Sequence, residues 1–288
     1  MASDRLRILG DAKFQNPRLL LGFSGWMDGG DVSTGTVKTL VNKLYARRIA
    51  EIDHQGFYLY SFPGAMEVTS LFRPRCQIRK GVIRELVFPE NVFYAAQEQD
   101  LILFMGKEPN LKWVEYADCV FSLCKRFGVQ SICFIGSVAG LVPHTRAPQF
   151  FCSVSNAEAR PRFESLGIKL SDYEGPASVT TYLTMRAKDE GIEMVALVAT
   201  VPAYVQGVNP KCVAAVTKTI AGILGLHLDL EDLQVAADEF ERRLTEVVQE
   251  QPELAESVTK LEQDYDNEIF SEMGDLKNWL HQKGVRLD

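Results

Sequence analysis

Six side chains in this 288-residue chain have types and spacing that could do chemistry: Ser24, Trp26, Asp28, His144, Arg146 and Glu174. Ser24 sits in Gly22-Phe23-Ser24-Gly25-Trp26, close to the G-x-S-x-G turn that exposes a serine nucleophile. Trp26, however, stands where the last glycine belongs and works against the tight turn. His144 and His227 follow it in the order a hydrolase triad needs. Asp28 and Asp31 flank Gly29-Gly30 and could hold a divalent cation through carboxylate oxygens. Acids beside paired glycines serve more often as turn and helix-cap residues. The stretch from Gly136 to Arg146 reads as a loop of small residues at a strand end. There Arg146 offers a bidentate fork for an anion, beside His144. Glu174, in the turn Glu174-Gly175-Pro176, would face the same crevice. The blander alternative has Arg146 pairing with an acid such as Glu174, His144 bonding a carbonyl, and Trp26 packing. His54 and His281 stand alone, without a ligand-spaced neighbour. Gly22, Gly25, Gly29 and Gly30 do not match the dinucleotide pattern G-x-G-x-x-G, and within this turn no lysine precedes a Ser/Thr as a phosphate loop requires. Neither a metal nor a cofactor is expected.

The elements that must position these groups follow from hydrophobic periodicity. Leu19–Phe23 is a buried strand, followed by a glycine-rich turn and a helix carrying Val37, Leu40, Val41 and Leu44, with Asp31 or Ser33 as cap. Further strands are expected at 49–53, 57–60, 82–88, 100–105, 131–135, 150–154 and 194–201. Pro109-Asn110, Ser178 and Asn209-Pro210 open helices, and Gly128, Gly191 and Gly225 close them. Buried strands alternating with helices predict a three-layer α/β/α domain on a mostly parallel sheet. In such a sheet ligands bind at the carboxyl ends of the strands, where Ser24 and Asp28 fall. From Asp229 the period stays helical. Leu233, Ala237, Phe240, Leu244 and Val247 line one stripe; Leu254, Val258, Leu261, Tyr265 and Ile269 line a second beyond Pro252. The pattern predicts an α/β domain over 1–228 and an acidic helical hairpin over 229–288.

Charge separates the same two parts. Residues 229–275 hold 16 acids against 3 bases, a net of -13, while the net is -7 for the whole chain and +4 for residues 1–228. Phosphates would be repelled from the acidic part, and a scattered +4 is no basic patch, so no nucleic-acid partner is expected. No apolar run approaches the roughly 20 residues of a membrane helix. The amino-terminal residues lack the apolar core of a secretion signal. The six cysteines lie mostly within apolar runs and at no metal-ligand spacing, as in reduced core thiols of a cytoplasmic protein.

With GFSGWMDGGDVSTGTVKTL, GSVAGLVPHTRAP, EGPASVTTYL, VPAYVQGVNPKCV and LGLHLDLEDL in this order, the chain resembles the proteasome assembly chaperone two family over about Leu19 to Leu233. The Gly25-Trp26-x-Asp28-x-Gly30 turn and Pro143-His144-Thr145-Arg146 are the most specific pieces. The resemblance implies a three-layer α/β fold similar to that of nucleoside phosphorylases and related hydrolases, protein partners and a small homo-oligomer, a trimer favoured. It also implies no established enzymatic activity. Relatives that dock on proteasome rings tend to end in hydrophobic–tyrosine–any residue. Val285-Arg286-Leu287-Asp288 lacks that tyrosine, which counts against direct proteasome docking. The expectation is a non-enzymatic oligomer working through protein surfaces, its hairpin the partner-binding element. The competing expectation is a small-molecule hydrolase or ligase-like enzyme using the crevice among Ser24, Asp28, His144, Arg146 and Glu174.

Overall fold

The computed structural model describes residues 4–282, with side-chain environments to residue 268. The chain runs β1 (Leu6–Ile8), β2 (Arg18–Ser24), α1 (Val32–Lys43), β3 (Arg47–Ile52), α2 (Met66–Ser70), β4 (Arg75–Arg79), β5 (Val82–Val87) and β6 (Asn91–Ala96). It continues through β7 (Leu101–Lys107), α3 (Trp113–Phe127), β8 (Ser131–Gly140), β9 (Phe150–Val154), α4 (Arg160–Glu164), β10 (Lys169–Leu170), α5 (Val179–Asp189) and β11 (Glu193–Pro202). It ends in α6 (Pro210–Leu224), α7 (Glu231–Gln249) and α8 (Pro252–Gln282). The stripe residue Ile269, His281 and the terminal Val285–Asp288 lie outside the described side chains.

Nine strands form one sheet in the order β1-β3-β6-β7-β2-β8-β11-β9-β10. Its centre, β7-β2-β8-β11, is parallel, as the run of strands buried on both faces requires. Antiparallel neighbours β6 and β9 extend it on either side. One face carries Tyr116, Val120, Val179 and Leu183 of α3 and α5 against Leu21, Phe104 and Phe134. The other carries Val37, Leu40, Val213, Val216 and Ile220 of α1 and α6 against Leu20, Leu103 and Leu197. The three-layer α/β architecture expected from the sequence is present.

Helix α1 lies almost on the strand beneath it. A Cβ on Gly22 would come within 2.6 Å of Val37 Cγ2 and 3.0 Å of the Ser33 carbonyl oxygen, so only glycine lets helix and sheet approach this closely.

The structure departs from several local expectations. Phe57–Tyr60 is not a strand: the Phe57 carbonyl turns inward to accept the amides of Asn110 and Leu111 at 2.9 and 3.0 Å. Gly136–Gly140 is not a loop; it continues β8, because β11 provides a parallel partner as far as Pro202 opposite Gly140. Strand β6, not expected from the sequence, is a short run that opens on the polar Asn91 and is followed by Gln97-Glu98-Gln99, and it is nonetheless almost wholly buried. The strand expected at 82–88 is present as Val82–Val87, and it pairs only with β4, in a separate two-stranded ribbon.

Candidate functional site at the strand ends

The turn after β2 is held from three directions. Glu108, just beyond β7, accepts the Trp26 amide on Oε2 at 3.1 Å and the Val179 amide, at the start of α5, on Oε1 at 2.9 Å. Ser137 of β8 donates its amide to the Met27 carbonyl at 2.9 Å and its hydroxyl to the Gly29 carbonyl at 2.7 Å. Asp28 caps α1: Oδ1 accepts the Thr34 amide at 3.1 Å and Oδ2 the Thr34 hydroxyl at 2.7 Å. The expected caps do other work. Asp31 takes a left-handed conformation, φ 52°, with no side-chain cap bond. Buried Ser33 donates to the Ile135 carbonyl at 2.5 Å and accepts the Phe23 amide at 3.1 Å.

Both Asp28 oxygens are occupied by Thr34, and Asp31 points to the exposed side of the helix start. Burial lifts the Asp28 carboxyl to about 6, opposed by its bonds to Thr34 and assisted by the Asp31 charge. Among the described residues no group of three His, Cys, Asp or Glu side chains converges as a metal site. Trp26 does not pack; it is 66% exposed.

Beside this turn, at the carboxyl ends of β2 and β7, a groove of about 280 Å³ is lined by Ser24, Thr34, Glu90, Tyr94, Met105 and Lys107, among others. Lys107 donates to the Leu71 carbonyl at 3.2 Å, and its partial burial lowers the affinity of the ammonium for its proton. Of the six predicted side chains, Ser24 lines this groove and Asp28 braces it through Thr34.

His144 and Arg146 belong to a different cluster, closed by the helical hairpin. Tyr204 Oη accepts the His144 amide at 2.7 Å and lies 2.8 Å from Nδ1. Nε2 lies 3.1 Å from the Thr245 hydroxyl, which itself donates to the Glu241 carbonyl at 2.8 Å. The Thr245 proton being committed, Nε2 carries the ring proton and Nδ1 accepts from Tyr204, an assignment made from the network. Burial, with the Lys211 charge behind it, pushes the His144 imidazolium below its ordinary value; Glu241 and Glu262 pull the other way. Lys211 bridges the two chain segments, donating to the His144 carbonyl at 2.5 Å and pairing with Glu241 at 2.6 Å.

Arg146 grips Asp266 of α8 in two parallel bonds of 2.8 Å each, with Glu262 at 3.7 Å, and Glu262 also accepts the Thr145 hydroxyl. The space left beside His144 and Phe240 is about 10 Å³, room for about one water. The acid that Arg146 pairs with is therefore Asp266, not Glu174. His144 bonds hydroxyls rather than a carbonyl, and among the described residues the space beside His144 and Arg146 does not reach Ser24.

Glu174 stands exposed on the loop before α5. Cys76, expected in the core, is exposed on the β4–β5 ribbon. Glu108, Lys107, Tyr204, Thr245, Glu262 and Asp266 escaped the sequence reading. Glu108-Pro109 after a strand is a visible turn; the others lie in strand, loop or helix positions whose partners are about 40 to 120 residues distant.

Fold and site together define a three-layer α/β protein with an open groove at its strand ends and a helical hairpin strapped over the loop that follows β8. The chain belongs to the PAC2 family, whose pattern matches residues 22–248 and so runs on through most of α7. No curated protein matches it. Among solved structures it is similar to a Mycobacterium tuberculosis proteasome-assembly chaperone homologue, at 28% identity and TM-score 0.73, covering 84% of this chain and 99% of that one. It is similar also to a Mycobacterium tuberculosis protein of unknown function, at 25% identity and TM-score 0.79, covering 92% and 91%. The archaeal proteasome activator PbaB of Pyrococcus furiosus shares the fold at 21% identity and TM-score 0.61, covering 84% and 97%. Among the described residues no helix is long and apolar enough to cross a membrane.

Proposed function

We propose that this protein is a non-enzymatic assembly factor of the chaperone type, acting through protein–protein surfaces as a small homo-oligomer, a trimer favoured. The observation that carries this reading is the use made of His144 and Arg146. The two side chains best suited to acid–base or anion chemistry are spent on holding α7 and α8 against the body. The family and the chaperone homologue at 28% identity support it. The body, 1–228, provides the scaffold, and the acidic module, 229–288, presents its outer face to protein partners. On that face Glu239 and Glu246 form an exposed ladder with Arg242 and Arg243.

The test is affinity capture of the full-length chain from its source cells, beside the doubly reversed variant Glu239→Lys, Glu246→Lys. Stoichiometric protein partners held by the wild type and lost by the folded variant are expected. Identical partners for both would remove the module from the binding role.

A second reading, a binder or hydrolase of small molecules, has the groove beside Ser24 and Lys107 in its favour. A thermal-shift panel of metabolites and nucleotides on the wild type and on Ser24→Ala would reveal it. A ligand that raises the melting temperature of the wild type alone, with turnover lost in the variant, would overturn the non-enzymatic reading.

A further inference from the structure

The ribbon formed by β4 and β5 is at odds with the rest of the molecule. A lone two-stranded hairpin is marginal in water, and this one joins no other sheet. Nearly every residue of both strands is exposed. So are large apolar side chains on the ribbon and the helix before it: Met66 at 80%, Leu71 at 71%, Ile83 at 65%, and Ile78, Val82 and Leu86 at more than half. A cluster of this size on one excursion of the chain marks a surface that is covered in the working protein.

Its charge indicates by what. Residues 71–84 contain Arg73, Arg75, Arg79, Lys80 and Arg84 and no acid. Arg75 is paired with Glu85 inside the ribbon; the other four have no ion pair among the described residues. A complementary surface exists on the same chain. The turn joining α7 to α8, residues 246–256, holds Glu246, Glu250, Glu253 and Glu256 and no base. Of these only Glu246 is ion-paired among the described residues, with Arg242. Val247 lies among them, 48% exposed, so the tip is both acidic and apolar, as the ribbon is basic and apolar.

The two surfaces are carried by different halves of the sheet. The ribbon leaves the chain between β3 and β6 and is tied to β7 through Lys107 and Leu71. The hairpin is tied to the β8–β10 half: Thr245 bonds His144 in the loop after β8, and Glu268 pairs with Lys169 of β10. A contact between two such different patches on identical chains is heterologous, and repeated it closes into a ring when the rotation allows.

We infer that the β4–β5 ribbon of one copy docks on the acidic α7–α8 tip of the next copy of this chain. The inference rests on the homo-oligomeric reading above and names the surfaces that would build it. Arg79, Lys80 and Arg84 face Glu250, Glu253 and Glu256, while Ile83 and its apolar neighbours cover Val247. The ion pairs set the register and hasten encounter, and the apolar residues supply most of the affinity.

The experiment measures the solution mass of the full-length chain by light scattering, with circular dichroism confirming each variant folded. The ribbon variant Arg79→Glu, Lys80→Glu, Arg84→Glu and the tip variant Glu250→Lys, Glu253→Lys, Glu256→Lys should each fall to the mass of one chain. A chain carrying all six reversals should regain the wild-type mass, since the charges are again complementary. If either single-surface variant keeps the wild-type mass, or the six-fold reversal fails to restore it, the contact is wrong and the oligomeric reading survives. A wild type that is monomeric at every concentration and low salt would overturn both.

Discussion

Arg146 and Asp266 lie 120 residues apart and meet through two N–H···O bonds of 2.8 Å, Nε to Oδ1 and Nη2 to Oδ2. The planar guanidinium matches the carboxylate in one orientation, so the pair fixes the direction of α8 as well as its proximity. It also removes from the strand-end loops their best anion-binding group.

Arg146→Ala should loosen α8 without unfolding the body. Amide-exchange protection in α8 is expected to fall several-fold and in the central strands to stay unchanged. Because the pair is about a third exposed on each side, high salt should mimic part of the effect in the wild type. Equal loss of protection in β2 and α8 would show that hairpin and body unfold as one unit.

His144 adds a pH dependence. Its folded value lies below the ordinary 6.5, so the neutral ring belongs to the fold. The contribution is complete above pH 6.5 and is lost as pH falls through the depressed value. A second N–H, on Nδ1, would meet a Tyr204 oxygen that already accepts the backbone amide. Protection factors across α7 are expected to drop on acidification below pH 6.5, and in His144→Gln to lose that pH dependence. An unchanged profile in the variant would remove the role.

Asp28 should act with the opposite sign. Its folded value of about 6 exceeds the usual 3.8, so the fold favours the protonated acid. Stability is then greatest below pH 4 and declines as pH rises to about 6, by about 3 kcal/mol at most. Asp28→Asn keeps an acceptor for the Thr34 amide and carries no charge. Its melting temperature relative to wild type should be near parity at pH 4 and higher at pH 7. A variant less stable than wild type at pH 7 would mean the charged cap outweighs its desolvation.

Gly22→Ala should cost about 1–3 kcal/mol, the usual range for overpacking a tight core. Its methyl group would meet Val37 and the Ser33 carbonyl, which α1 cannot move away from without losing its fit to β2. Chemical denaturation would measure this. A neutral result would show that α1 shifts freely, and with it the Asp28 cap.

Much of the fold was legible because it rests on local physics. The β2 run Leu19–Phe23, the Asn209-Pro210 start and the left-handed Gly128 and Gly225 all appear where composition places them. The site was legible only as residue types. His144, Arg146 and Asp28 are each engaged in defined interactions, but Glu174 is idle and Glu108 does the bracing. Nothing in a one-dimensional pattern says which of many acids an arginine will reach.

Taken alone, the sequence determined the layers, most strands and helices, the acidic tail of the charge distribution and the family. These depend on periodicity, turn chemistry and composition, which act over a few residues or sum over all of them. Only the tertiary structure decided that the supposed crevice is two separate places, one an open groove and the other sealed by α7 and α8. It alone placed a basic apolar ribbon in solvent. Both outcomes are set by contacts between segments far apart in the chain, where geometry chooses among chemically equivalent partners.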